Sequence, residues 1–130
     1  MRVLGLLDTH IALWAIADSP RLPTAARERL LDSANTCWVS AASVWEIAIK
    51  HSLGRGDMPL SGSQALEWFR ESGFLLLDIT PEHAAAAGSL PPLHADPFDR
   101  LLVAQALDEP LRLLTHDAQV ARYSDSIILV

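Results

Sequence analysis

The sequence predicts an α/β domain, specifically a three-layer α/β/α sandwich with a central parallel sheet of about five strands. Short apolar runs of strand length alternate along the chain with helical segments, which is the pattern of parallel sheets. No repeat, low-complexity stretch or linker divides the 130 residues, and half of them are hydrophobic. We therefore expect a single domain, residues 1–130, with a core of ordinary size.

The predicted strands are apolar runs that are too short for helices. Parallel strands buried on both faces are continuously apolar and do not alternate. The runs are Val3–Leu7, Thr36–Val39, Phe74–Ile79, Leu111–Leu114 and Ser126–Leu129. None approaches the length needed to cross a bilayer, so we expect no membrane segment.

Capping signals mark the helices between these strands. Ser40 is expected to cap a helix that Gly54 ends, and Asp96 to cap a helix that begins with proline. In the second helix, Ala26, Leu30 and Leu31 are expected to share one apolar face. The predicted helices are Thr9–Ala17, one beginning at Thr24, Ala41–Leu53, Ser63–Glu71, Pro81–Gly88, Pro97–Leu107 and His116–Arg122.

The charge of the chain bears on its partners. The formal net charge is -6, and one lysine and nine scattered arginines do not form an evident basic patch. Either the chain binds no nucleic acid, or its acids form a site that attracts phosphate once cations bind. Cys37 is the only cysteine and no signal peptide is recognisable, so a cytoplasmic location is expected.

Four acids fall near the carboxyl ends of the predicted strands, where open parallel sheets bind their ligands. Asp8 and Asp117 follow the first and fourth strands. Glu46 lies in the helix after the second strand, and Asp99 in the first turn of the helix leading into the fourth. Each could separately be a helix cap or half of an ion pair. Together they predict an oxygen-rich site suited to Mg²⁺ or Mn²⁺.

Glu46 is the most informative of these acids because its helix is apolar on nearly every side. A buried carboxylate costs several kcal/mol unless it is paired or bound to a metal. Ser43, Glu46 and Lys50 share one face of the helix by their spacing. An ion pair between Glu46 and Lys50 therefore remains open as the alternative to a metal site.

Four segments, spread from residue 6 to residue 117, carry a family pattern. They are Leu6–His10, Val39–Lys50, His94–Ala106 and Leu114–Asp117. In these segments and their spacing the chain resembles the PIN-domain ribonucleases, in particular the VapC toxins of bacterial toxin–antitoxin pairs. The resemblance implies a PIN-like fold and a metal-dependent endoribonuclease that cleaves RNA phosphodiesters with a metal-activated water.

The resemblance also implies roles for the acids. Asp8, Glu46, Asp99 and Asp117 would form the catalytic cluster, with Mg²⁺ or Mn²⁺ as the cofactor. Asp8 and Asp99 would be the direct metal ligands, while Glu46 and Asp117 would hold metal or water. Asp96 is a further candidate ligand that also fits a helix cap.

Polar neighbours of the acids are supporting candidates. Thr9, Ser43 and Thr115 would orient the acids or a phosphate through their hydroxyls, or simply cap helices. Arg100 would reach a phosphate, or lie on the solvated surface.

The family also implies two protein partners, a second copy of the chain in a homodimer and a small antitoxin. An apolar surface for them is available in principle, because large aromatic residues at helix positions exceed what a small core needs. These residues are Trp14, Trp45, Trp68 and Phe69.

Two other functions remain open from the residues. One is a histidine-assisted metal phosphoesterase using His94 and His116, since imidazole favours transition metals. The other is a non-catalytic PIN-like binding module whose acids only cap helices. The RNA target is not encoded in any recognisable motif, although loops near 55–61 and 90–95 are candidates for setting it.

Overall fold

The structure, a computed structural model, describes residues 3–54 and 58–130. Residues 55–57 of one predicted binding loop lie outside this part. Five strands and seven helices follow one another within the described ranges, which confirms the predicted number and order of elements. They are β1 Leu4–Leu7, α1 Thr9–Ile16, α2 Thr24–Leu31, β2 Thr36–Ser40, α3 Ala41–Ser52, α4 Gly62–Glu71, β3 Leu75–Leu77, α5 Pro81–Gly88, α6 Pro97–Asp108, β4 Arg112–Thr115, α7 Ala118–Ala121 and β5 Ile128–Leu129.

The strands form one parallel sheet in the order β3-β2-β1-β4-β5. The chain moves outward from the central β1 through β2 to β3, and then crosses to β4 on the other side of β1. This change of direction opens a crevice beyond the carboxyl ends of β1 and β4. At that point the Asp8 amide donates to the Leu114 carbonyl at 3.0 Å, so the chain leaving β1 stays attached to β4.

Helices pack on both faces of the sheet, which gives the predicted three layers. Successive strand residues point to opposite faces, and accordingly Leu7 and Leu6 of β1 belong to different core clusters. Ile11 of α1 and Phe69 of α4 join Leu7, whereas Leu102 of α6 joins Leu6.

Most local signals act where they were predicted. The Ser40 hydroxyl accepts a hydrogen bond from the Ala42 amide at 2.9 Å and so caps α3. After that helix Gly54 adopts a φ of +69°, a conformation that glycine reaches without strain. β3 is shorter than the predicted run 74–79. None of the described helices is long and apolar enough to cross a membrane.

One burial prediction is wrong. Leu31 is 77% exposed, whereas Ala26 is fully buried and Leu30 packs against the core. At about 100° per residue, Leu31 lies about 140° around the helix from the buried Ala26 and so faces away from the core. Ala26 and Leu30, four positions apart, form the buried stripe.

Candidate active site

Asp8 lies in the crevice beyond β1 and is held from two sides. Its Oδ1 accepts from the Ile11 amide at 2.9 Å, which caps α1, and its Oδ2 accepts from the Thr115 hydroxyl at 2.6 Å. Thr115, the last residue of β4, also accepts from the Asp117 amide at 3.1 Å. One hydroxyl therefore connects two of the four predicted acids.

Glu46 reaches the same crevice from α3 and is buried. The Thr9 hydroxyl donates to Glu46 Oε1 at 2.6 Å and lies 2.9 Å from the Ser43 hydroxyl. Lys50 Nζ lies 2.5 Å from Glu46 Oε2. Glu46 thus forms the ion pair with Lys50 and is also held near Asp8. Its partner Thr9 directly follows Asp8 in the chain.

His94 joins the other two acids. Its Nε2 lies 3.2 Å from Asp99 Oδ2 and 3.0 Å from Asp117 Oδ2. Among the residues that the structure describes, these three side chains offer ligand atoms within 4.8 Å of one another. The remaining oxygen of Asp117, Oδ1, caps α7 by accepting from the Gln119 amide at 2.8 Å.

The hydrogen bonds of the His94 ring assign its proton. Nδ1 accepts from the Asp96 amide at 3.1 Å, so the proton of the neutral ring lies on Nε2. In this tautomer Nε2 is a donor to the two carboxylates. From the sequence, His94 enters only the phosphoesterase alternative. Its position two residues before the capping Asp96 is the one local indication that it lies near the start of α6.

The carboxyl group of Asp99 is poorly compensated by the protein. Burial, together with repulsion from Asp96, Asp8 and Glu46, raises its pKa to about 7, while His94 acts in the opposite direction. Repulsion by Asp8 and Glu46 means that these acids face the same space as Asp99. The four predicted acids therefore lie at one edge of the sheet.

The crevice shifts the pKa values of Asp8 and Asp117 in opposite directions. Burial raises the pKa of Asp8 despite the hydrogen bonds from Thr115 and the Ile11 amide. Burial would also raise the pKa of Asp117, but the His94 hydrogen bond and the amides at the start of α7 together lower it. The protein alone thus favours the anionic form of Asp117 and opposes that of Asp8.

The model of the PIN domain family matches residues 5–126. This chain belongs to the PIN domain family. It is 33% identical over 118 residues to Ribonuclease VapC22 of Mycobacterium tuberculosis, a match that covers 88% of each protein.

Solved structures show the same PIN fold at lower sequence identity. VapBC2 from Rickettsia felis, bound to a promoter DNA fragment, has a TM-score of 0.69 at 20% identity, covering 98% of both chains. A toxin–antitoxin complex from Klebsiella pneumoniae has a TM-score of 0.66 at 15% identity, covering 95% of both chains. FitAcB from Neisseria gonorrhoeae has a TM-score of 0.62 at 19% identity over 97% of this chain and 96% of that one. The predicted family and fold class are confirmed.

Asp96 acts as a cap in this PIN domain. Its Oδ1 accepts from the Phe98 amide at 2.8 Å and from the Asp99 amide at 3.2 Å. These bonds fix the first turn of α6 and with it the position of Asp99. The structure therefore gives Asp96 a positioning role, while its role as a ligand stays a prediction.

Arg100 differs from the expectation that it reaches a phosphate or lies in solvent. Its guanidinium is turned into the protein, where it donates to the Ala87 carbonyl at 2.9 Å and to the Tyr123 hydroxyl at 3.2 Å. The carbonyls of Leu90, Pro91 and His94 accept further bonds from it. The physical reason is that the proline-containing loop before α6 has carbonyls without strand or helix partners, which a guanidinium can satisfy.

The residues at the crevice fit a hard divalent cation. Asp8 is a buried carboxylate and Asp99 a partly buried one, both with raised pKa values, and a cation would compensate their charge. Carboxylate oxygens form most of the available donor set, with His94 Nε2 beside Asp99 and Asp117. Such a donor set suits Mg²⁺ and Mn²⁺ more than metals that require imidazole.

A second group of His83, Asp108 and Glu109 has a structural explanation. His83 Nδ1 accepts from the Thr80 amide at 3.0 Å as part of the cap of α5. Its Nε2 then carries the proton and lies 2.7 Å from Glu109 Oε2. The buried histidine thus links the ends of two helices and is not arranged to bind a metal.

Proposed function

We propose that this PIN domain is a metal-dependent endoribonuclease and the toxin of a toxin–antitoxin pair. The observation that carries the proposal is the convergence of Asp8, Glu46, Asp99 and Asp117 at the crevice between β1 and β4. Further support comes from the 33% identical relative, which is named a ribonuclease, and from solved toxin–antitoxin complexes with the same fold.

Asp8 and Asp99 are proposed as the direct ligands of Mg²⁺, with Mn²⁺ as a substitute. A bound divalent cation supplies charge neutralisation at the scissile phosphate and a lowered pKa for the attacking water. Each carboxylate oxygen has two lone pairs, so Asp8 can keep its hydrogen bonds from Thr115 and Ile11 while it coordinates the metal ion.

Glu46 and Asp117 are proposed to hold the metal or orient the water. Thr9 and Lys50 fix the two oxygens of Glu46, and His94 and the start of α7 fix those of Asp117. Both side chains are therefore oriented before any substrate arrives, which lowers the cost of organising the reaction. Ser43 and Thr115 are supporting residues in the same sense.

We propose a small antitoxin and a second copy of the chain as protein partners, in addition to the RNA substrate. Of the four aromatic residues expected to supply an apolar surface, Trp45 and Trp68 are 57% and 50% exposed. Phe69 is fully buried, and Trp14 is partly buried against the core. The exposed pair leaves α3 and α4 with apolar surface of the kind that protein interfaces use.

The decisive experiment compares RNA cleavage by the wild type, Asp8→Asn and Asp99→Asn in Mg²⁺, in Mn²⁺ and in EDTA. Asparagine still caps a helix, so Asp8→Asn is expected to fold. We expect cation-dependent cleavage that both variants lose by at least about 100-fold, the scale on which catalytic electrostatics act. The matched control is Asp125→Asn, which removes an exposed carboxylate that precedes β5 and is not one of the four acids.

Full cleavage by both acid variants would refute the proposal and favour acids that only cap helices. Expression in bacteria with and without the co-encoded neighbour gives an independent readout. We expect growth arrest that the neighbour relieves and that Asp99→Asn abolishes. Harmless expression of folded wild-type protein without the neighbour would contradict the toxin assignment.

A further inference from the structure

A cavity of about 500 Å³ adjoins the acidic cluster on the side of α1 and α7. Asp8 and Asp117 form its border with the active site, and the rest of its lining includes His10, Trp14, Arg21 and His116. Its volume lies in the range of about 300–1,000 Å³ that is usual for small-ligand sites. The proposed function assigns no role to this cavity, which we call the aromatic pocket.

Three rings of the aromatic pocket surround open space. The Trp14 ring centroid lies 5.8 Å from that of His10 and 6.2 Å from that of His116. The interplanar angles are 49° and 71°, so neither imidazole is stacked parallel on the indole. Trp14 is only partly buried and lines the pocket, so a flat aromatic ligand that enters it can reach the indole.

Arg21 supplies positive charge at the edge of the same pocket. Its side chain is exposed, and its guanidinium forms no hydrogen bond or ion pair with any residue in the described ranges. This separates it from Arg100, whose donors are used inside the protein. In a chain of net charge -6, such a cation beside an acidic site favours an anionic ligand.

We propose that the aromatic pocket binds an unpaired RNA nucleotide adjacent to the scissile phosphate, with the base stacked on Trp14 and a backbone phosphate on Arg21. This inference rests on the proposed ribonuclease function. A stacking platform next to a cation is the common means of holding single-stranded nucleic acid. Because a base in a duplex is not free to stack on a side chain, the pocket would restrict cleavage to loops and single strands.

The first test measures cleavage of a short fluorescein-labelled single-stranded RNA of mixed sequence. We expect Trp14→Ala to raise KM between about 5-fold and about 150-fold, and Trp14→Phe to retain most of the affinity. This range is the effect reported for removing one stacked base, about 1–3 kcal/mol at 1.4 kcal/mol per factor of ten. Leu107→Ala is the control, since it removes a large, 45% exposed apolar side chain that does not line the pocket.

The second test separates stacking from charge by measuring affinity for the same RNA at several salt concentrations. It uses fluorescence anisotropy with Asp99→Asn as the cleavage-deficient background. Adding Arg21→Gln should lower the slope of log affinity against log salt by about 0.7, the value for one phosphate contact on a single strand. Adding Trp14→Ala should weaken binding without changing that slope. Arg21→Gln and His116→Ala alter exposed side chains that line the pocket. If Trp14→Ala does not fold, weaker RNA binding by these two variants is the expected result in its place.

Wild-type KM and affinity in both Trp14→Ala and Arg21→Gln would overturn the pocket assignment while leaving the ribonuclease proposal intact. Unchanged RNA binding with weaker binding of the co-encoded antitoxin would also overturn it, since the pocket would then contact protein. Wild-type protein that binds the RNA without cleaving it would contradict only the proposed activity. Wild-type protein that neither binds nor cleaves RNA would refute both.

Discussion

Replacing Asp99 with asparagine should stabilise the protein at alkaline pH in EDTA. Burial, followed by repulsion from Asp96, Asp8 and Glu46, raises the pKa of Asp99 from its ordinary 3.8 to about 7. The folded protein then binds more protons than the unfolded chain between these two values. Because ionisation is opposed by the fold, the free energy of unfolding falls as the pH rises through this window.

The size of the effect follows from this pKa. At about 1.4 kcal/mol for each pH unit, the displacement of the Asp99 pKa corresponds to about 4 kcal/mol above pH 7. The Asp99 side chain is 24% exposed, so solvent screens part of this cost. We expect Asp99→Asn to gain between about 1 and about 4 kcal/mol at pH 8. Asparagine oxygen can still accept from His94 Nε2, so little is lost in exchange.

Urea denaturation in EDTA at pH 4 and at pH 8 measures this gain. The difference in free energy of unfolding between Asp99→Asn and the wild type should be close to zero at pH 4 and largest at pH 8. Asp125→Asn removes an exposed carboxylate and should change little at either pH. An equal gain at both pH values, or a loss at pH 8, would refute the electrostatic reasoning.

Three further predictions concern neighbouring groups. Mn²⁺ should raise the Tm of the wild type with increasing concentration, as for any ligand of the folded state, and should have no such effect on Asp99→Asn in differential scanning calorimetry. His94→Ala should weaken Mn²⁺ affinity in titration calorimetry by about 10- to 100-fold, because a donor that orients two carboxylates is lost, and His94→Gln should recover part of it. Arg100→Met should cost about 1–3 kcal/mol in urea denaturation, since it leaves loop carbonyls without donors; unchanged stability would contradict the contacts of its guanidinium.

The elements and the approach of the acids were predictable from the sequence because they depend on local patterns. Apolar runs, caps such as Ser40 and the edge rule for parallel sheets are sufficient to bring Asp8 and Asp117 together. The position of His94 was not predictable, because its loop is held by bonds from residues that are distant in the chain. The His94 amide donates to the Tyr123 hydroxyl at 2.9 Å, a contact across 29 positions that no local pattern encodes.

Helix capping does not prevent these acids from gathering at one site, although the sequence presents capping and metal binding as alternatives. Three acids at or beside the crevice accept hydrogen bonds from backbone amides at the start of a helix. They are Asp8, Asp96 and Asp117. Helix starts carry partial positive charge, which offsets some of the repulsion among the gathered carboxylates. Burial nevertheless leaves the pKa of Asp99 at about 7, so this compensation is incomplete. The helix ends thus allow the acids to be assembled in a folded protein, and the charge that they leave uncompensated is what a divalent cation would neutralise.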